Sequence, residues 1–217
     1  MDGKEIKQGI YDAIIELDDA KIVVMANAVL DSELDLIEVI EQAMSPAMEE
    51  IGRRFHSGDM FLPELMVSAE VYEAAMNVLR PKMLETGKNM KPIGKVVIGS
   101  VKGDIHSIGK GLAATMLKTA GLEVLDLGVD VPTFTFVEQA ERMGADIIAL
   151  SALLTTTMPA QREVIEALEG EGIRDKFKVI VGGAPVSKEW AETIGADGYG
   201  ENAAQAVQLS KELCKVE

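Results

Sequence analysis

The sequence is short of several things that would settle its class. Cysteine occurs once in 217 residues, as Cys214, so no intramolecular disulfide can form and a reducing compartment is the natural setting. Basic residues are in deficit, 21 Lys and Arg against 36 Asp and Glu. The net charge of −15 leaves no basic field to neutralise phosphates, which argues against nucleic acid or an anionic membrane surface as the main partner. No stretch approaches the roughly 20 apolar residues that span a bilayer, and the first seven residues lack the apolar core of a secretion signal. A cytoplasmic location is therefore expected. What is present is 47% hydrophobic residues, too many for disorder, on a chain long enough for two modest domains.

Two periods divide the chain. From Glu5 to about Met83, apolar residues such as Ile10, Ile14, Ile22, Met25 and Val29 recur at helical spacing while Gly and Pro are scarce. Breaks are expected at Asp18-Asp19, Asp31-Ser32, Ser45-Pro46 and His56 to Asp59. Four main helices, the last from about Leu62 to Met83, predict a four-helix bundle over residues 1–88. The segment from Glu85 to Gly94 carries turn formers and no periodicity, so the boundary is placed there. Over residues 89–217 short strand-like runs (95–100, 123–127, 146–150, 178–181 and a weak one at Gly198-Tyr199) alternate with helical runs. Alternation predicts an α/β fold, a parallel five-stranded sheet covered on both faces with the flavodoxin-like order 2-1-3-4-5. Ligands in such sheets bind beyond the carboxyl ends of the strands, where the order reverses.

The residues after those strands carry chemistry. After strand 1, Asp104 stands two residues before His106, one of only two histidines. A carboxylate so spaced can fix one imidazole nitrogen and leave the other for a metal. Strand 3 runs into Ser151 and the hydroxyls Thr155, Thr156 and Thr157, and strand 4 ends in Gly182-Gly183-Ala184, where missing side chains let a bulky ligand approach backbone. One histidine without clustered Cys or a second nearby His cannot hold a bare zinc ion, so the metal must bring its own ring.

Here the sequence resembles the corrinoid (cobalamin-binding) proteins of methyltransferase systems, and is similar to the cobalamin-binding region of methionine synthase. The likeness rests on D-x-H-x-x-G (Asp104, His106, Gly109), S-x-L (Ser151, Leu153) with Thr155 and Thr157, G-G (Gly182, Gly183), and the run Tyr199 to Ala203. The resemblance implies a cobalamin whose benzimidazole is displaced, with His106 as the lower cobalt ligand and Asp104 and Thr157 as a proton relay behind it. Ser107, Ile108, Gly109, Ser151, Leu153, Thr155, Gly182, Gly183, Ala184, Tyr199 and Asn202 are then cofactor-binding. Ser107 departs from the methionine synthase pattern, which often has a second acid there, leaving Asp104 as the carboxylate beside the histidine. In the helical half, Phe55 and Leu62 match a cap that lies over the cobalt-bound methyl, while His56 is expected to be a solvent-exposed helix-end residue. The implied function is a methyl-carrier subunit, non-catalytic alone, that accepts a methyl group on Co(I) from a substrate-specific methyltransferase, of methylamine or quaternary-amine type. It would deliver that group to a second methyltransferase with tetrahydrofolate or coenzyme M as acceptor, and be served by a reductive activation protein. Two other readings are a cobalamin-dependent regulator, for which a basic DNA-reading helix is lacking, and an adenosylcobalamin mutase subunit, which would not need the cap residues.

Overall fold

The structure, a computed structural model, describes residues 1–86 and 92–214, with the side chain of His56 outside that description. The chain divides into two compact units, Met1–Lys91 and Pro92–Glu217. The boundary expected between residues 88 and 89 lies outside the described residues. Among those described, no helix is long and apolar enough to cross a membrane.

The first unit is helical because acidic caps start its helices and apolar stripes join them. Helix α1 (Gly3–Ile15) opens on a capping box: Asp2 accepts from the Glu5 N–H and Glu5 accepts from the Asp2 N–H, both at 2.8 Å. Helix α2 (Asp19–Leu30) is capped by Asp18, which accepts from the Lys21 N–H. The break expected at Ser45-Pro46 is absent. Helix α3 (Leu36–Val39) passes through a π turn (Ile40–Met44) into α4 (Ser45–Ser57) without interruption. The Ser45 N–H bonds the Ile40 carbonyl five residues back, and this wider turn takes in the proline, which has no N–H to donate, at the start of α4 instead of ending the helix. Gly58 closes α4 in the left-handed region (φ 83°), and α5 (Leu62–Thr86) runs three residues beyond its expected end with Pro81 inside it. Ile10, Ile14, Ile22, Ile40, Met44, Ile51, Leu65 and Leu79 are fully buried between these helices.

The second unit is the expected doubly wound sheet. Strands β1 (Lys95–Ser100), β2 (Glu123–Asp126), β3 (Ile147–Ser151), β4 (Lys178–Gly182) and β5 (Gly198–Gly200) pair in parallel in the order β2-β1-β3-β4-β5. Helices α6 (Ile108–Thr119), α7 (Thr133–Met143), α8 (Pro159–Gly170), α9 (Lys188–Ile194) and α10 (Ala203–Leu213) connect and cover them. Alternation sorts the side chains. Val96, Ile98, Ile147, Ala149 and Ile180 join the core with α6 residues Ala114 and Leu117, and α10 residues pack against it. Val97, Ile148, Leu150, Val179 and Val181 face Phe136, Val164, Leu168 and Ile194 of α7, α8 and α9.

Candidate functional site

The order reverses between β1 and β3, and the loop after β1 is fastened there from several sides. Gly103 takes a positive φ of 82°, the Asp104 N–H returns to the Val101 carbonyl, and the Asp104 carbonyl accepts from the Asp130 N–H at 2.8 Å. The Asp130 carboxylate in turn accepts from the Gly103 N–H, and the Ser100 hydroxyl donates to the His106 carbonyl at 2.6 Å. The loop is thus fastened by the protein's own hydrogen bonds.

Within it the Asp104 carboxylate, 1% exposed, has every acceptor direction filled. Oδ1 accepts from the His106 N–H at 3.0 Å and stands 2.9 Å from His106 Nδ1. Oδ2 accepts from the Leu153 N–H and the Thr157 hydroxyl, each at 2.7 Å. Burial pushes this carboxyl up, but the hydrogen bonds from Thr157, Leu153, and the backbone and ring of His106 outweigh it and hold it well below the usual carboxylate range. An ionised carboxylate only accepts, so the shared proton sits on Nδ1, and Nε2 is the ring nitrogen turned away from Asp104. The His106 side chain is 44% exposed, so that second nitrogen belongs to a group solvent can reach.

Because the Asp104 pKa is depressed on folding, the stability it contributes is present above the unfolded carboxylate value of about 4 and is lost as pH falls below it. Asp104→Asn should therefore destabilise the apo-protein at pH 7 by about 1–3 kcal/mol, since buried donors lose a charged acceptor. The variant should also lose less stability than the wild type between pH 5 and 3. Urea unfolding across that pH range, followed by the fluorescence of Trp190, measures both; an acid limb identical to the wild type would contradict this account.

Beside His106 a cavity of about 650 Å³ runs between the sheet and helices α6 and α10. Its rim on the sheet is a single row in register, Ser151, Gly182 and Gly200. Of the residues singled out by sequence, His106, Ser107, Ile108, Gly109, Ser151, Leu153, Gly182, Gly183, Ala184 and Asn202 line it. Asp104 and Thr157 lie behind the histidine, buried. The structure does not bring Thr155 or Tyr199 to the cavity: Thr155 is exposed, and Tyr199, one residue off the rim row, packs on the opposite face of the sheet. Phe55 and Leu62 belong to the helical unit, each partly buried. Gly183 lines the cavity and is held to glycine by its own packing as well. At φ 124° a side chain there would run into the Ala152 carbonyl, so the protein's own backbone fills the space.

Two buried polar residues escaped the sequence reading. Lys110, 7% exposed, places Nζ 2.6 and 2.7 Å from the two oxygens of Asp126 at the end of β2, tying the first turn of α6 to that strand. The signal was there: Lys110 stands four and seven residues before the core positions Ala114 and Leu117. Gln161, fully buried, donates to the Leu150 and Gly182 carbonyls at 3.0 and 3.2 Å and accepts from the Trp190 indole, and its spacing to Val164, Ile165 and Leu168 marks it in the same way.

The site fits a group that carries its own metal. Among the described residues no cluster of three or more His, Cys, Asp or Glu could hold an ion by itself. A single imidazole with Nδ1 held by Asp104 stands at the mouth of the cavity, and a Cβ on Gly109 would meet nothing within 4 Å. Comparison with known proteins agrees. Two family descriptions, each of a B12 binding domain, match residues 94–208 and residues 6–80. The dimethylamine corrinoid protein of Methanosarcina barkeri is 45% identical over 214 residues, 98% of this chain and 99% of that protein. Trimethylamine corrinoid protein 1 of Methanosarcina acetivorans is 45% identical over 204 residues, 94% of each chain. The solved methanol:cobalamin methyltransferase complex MtaBC from Methanosarcina barkeri contains a chain 29% identical, with a TM-score of 0.90 over all of this chain and 82% of that one. On that likeness across both units, joined to a histidine held by a buried aspartate beside a cavity, the chain belongs to the cobalamin-binding corrinoid proteins of methyltransferase systems.

Proposed function

We propose that the protein is a methyl-carrier subunit that takes a methyl group from a methylamine-specific methyltransferase and passes it to a second methyltransferase, with tetrahydrofolate or coenzyme M as acceptor. The observation that carries this reading is His106, whose Nδ1 is held by an ionised carboxylate at 2.9 Å while the side chain remains half-exposed at the rim of the cavity. When bound, the corrinoid supplies a cobalt centre that can hold the methyl group. His106 would be the lower ligand, and Asp104 with Thr157 would hold or release the proton on Nδ1 as that ligand engages or withdraws. Ser107, Ile108, Gly109, Ser151, Leu153, Gly182, Gly183, Ala184 and Asn202 would receive the tail of the cofactor. Phe55 and Leu62 would shield the methyl group from water, making residues 1–88 a cap and 89–217 the cofactor domain. Relatives named for dimethylamine and trimethylamine support the choice of donor, and the solved methanol:cobalamin complex supports a methyltransferase as partner. A reductive activation protein completes the system.

The test uses protein loaded with hydroxocobalamin, reduced chemically and mixed with a trimethylamine, dimethylamine, monomethylamine or methanol methyltransferase and its deuterium-labelled substrate. Label should reach the bound corrinoid from at least one methylamine, read by mass spectrometry. Transfer from methanol alone would overturn the choice of donor, and transfer from none would overturn the carrier reading.

A further inference from the structure

The cavity is polar only at its mouth. Its six polar side chains are His106, Ser107, Lys110, Ser151, Glu201 and Asn202. All stand at strand ends, in the loop before α6, in the first turn of α6, or at the start of α10, and Lys110 is already matched by both oxygens of Asp126. Two residues down the strands, about 7 Å by strand rise, a second row lies in register: Ile98 beside Ala149 beside Ile180. All three are 5% exposed or less, and their backbone groups lie within paired strands. Across the cavity from this row, the deeper turns of the helices contribute Leu112, Ala113 and Ala206, so the floor offers no side chain that can donate or accept a hydrogen bond. Small residues make the space: Ala149 sits between two isoleucines, and Ala113 and Ala206 line the helical side.

We propose that this floor selects the chemical class of the corrinoid's lower base, accepting an apolar aromatic ring such as a methylated benzimidazole or a cresol and discriminating against a purine. The inference rests on the reading that the corrinoid tail occupies this cavity. A purine would bring an exocyclic amine and several ring nitrogens to a place with no partners, and each such group left unsatisfied weakens binding by roughly tenfold or more. An apolar ring has nothing to leave unpaired and gains from the burial.

Apo-protein should be titrated with p-cresolylcobamide, adeninylcobamide and cobinamide, which has no nucleotide tail, following quenching of Trp190 fluorescence. The first two bases coordinate cobalt weakly or not at all, so neither must first break a strong cobalt–nitrogen bond. Cresolylcobamide should bind at least about tenfold tighter than adeninylcobamide, and tighter still than cobinamide. If neither cobamide binds better than cobinamide, the tail does not enter the cavity and the underlying reading fails. If both bind better than cobinamide but equally well, the reading stands and the proposed selectivity is overturned. Ala149→Val narrows the floor without touching the rim: it should pull cresolylcobamide toward the affinity of cobinamide and leave cobinamide unchanged. Wild-type affinity for cresolylcobamide in that variant would move the base away from the floor.

Discussion

His106→Ala is expected to leave the apo-protein folded and the cavity open, while removing the group proposed to hold cobalt. The side chain is half-exposed and contributes little buried area, so the urea midpoint should move only slightly. Its ring donates one of the four hydrogen bonds to Asp104; the His106 N–H, the Leu153 N–H and the Thr157 hydroxyl remain to keep the carboxylate satisfied. Corrinoid affinity should fall at least about tenfold, the scale seen when metal sites lose a supporting group, but not vanish, because the tail cavity persists. The nitrogen hyperfine splitting from histidine should disappear from the paramagnetic resonance spectrum of the Co(II) form. A spectrum with that splitting intact, in protein labelled with nitrogen-15 histidine, would assign the ligand to another residue.

Gly183→Val should act on the fold before it acts on any ligand. Its φ of 124° lies where side chains are rarely tolerated, and a Cβ would collide with the Ala152 carbonyl, a backbone atom that cannot swing aside. Strain of this kind together with the displaced strand end is expected to cost about 3–5 kcal/mol. Gly109→Ala is the contrast: with nothing within 4 Å and a helical position, it should be neutral or stabilise by up to about 1 kcal/mol. Two units need not unfold together, so the measurement must report on the sheet unit alone, and Trp190, the sole tryptophan, lies within it. A wild-type unfolding midpoint for Gly183→Val, read by tryptophan fluorescence, would mean that the strand end shifts without penalty.

The two glycine variants show where sequence reading reaches and where it stops. Strand order was legible because alternating short apolar runs and helices leave few right-handed parallel arrangements, and the polar residues after β1 and β3 stood where such sheets carry ligands. Asp104 and His106 were legible because their contact is local, two residues apart. The support from Leu153 and Thr157, about fifty residues away, depends on register that only folding sets, so the Thr157 link was legible through the family resemblance alone and the Leu153 N–H not at all. For the same reason Gly183 was read only as room for a ligand, and the contact with Ala152 that also demands glycine there went unseen. Lys110 and Gln161 broke the apolar pattern of their helices, yet a charge or an amide on an inner face names no partner until the opposing strand is known. Tyr199 was taken into the site on resemblance alone; it packs on the other face of the sheet, and a three-residue strand carries too little alternation to have shown its phase.

The sheet's borders bear on how copies of the chain meet. An open parallel sheet ends in two strands with unpaired backbone groups, which invite strand addition from another molecule. Here β5 is three residues, Gly-Tyr-Gly, and β2 is four, beginning with Glu123 and ending with Asp126. Borders this short offer little length for an intermolecular ladder, and both residues at the ends of β2 are charged. Polymerisation edge to edge is thereby discouraged, whatever the loading of the cavity.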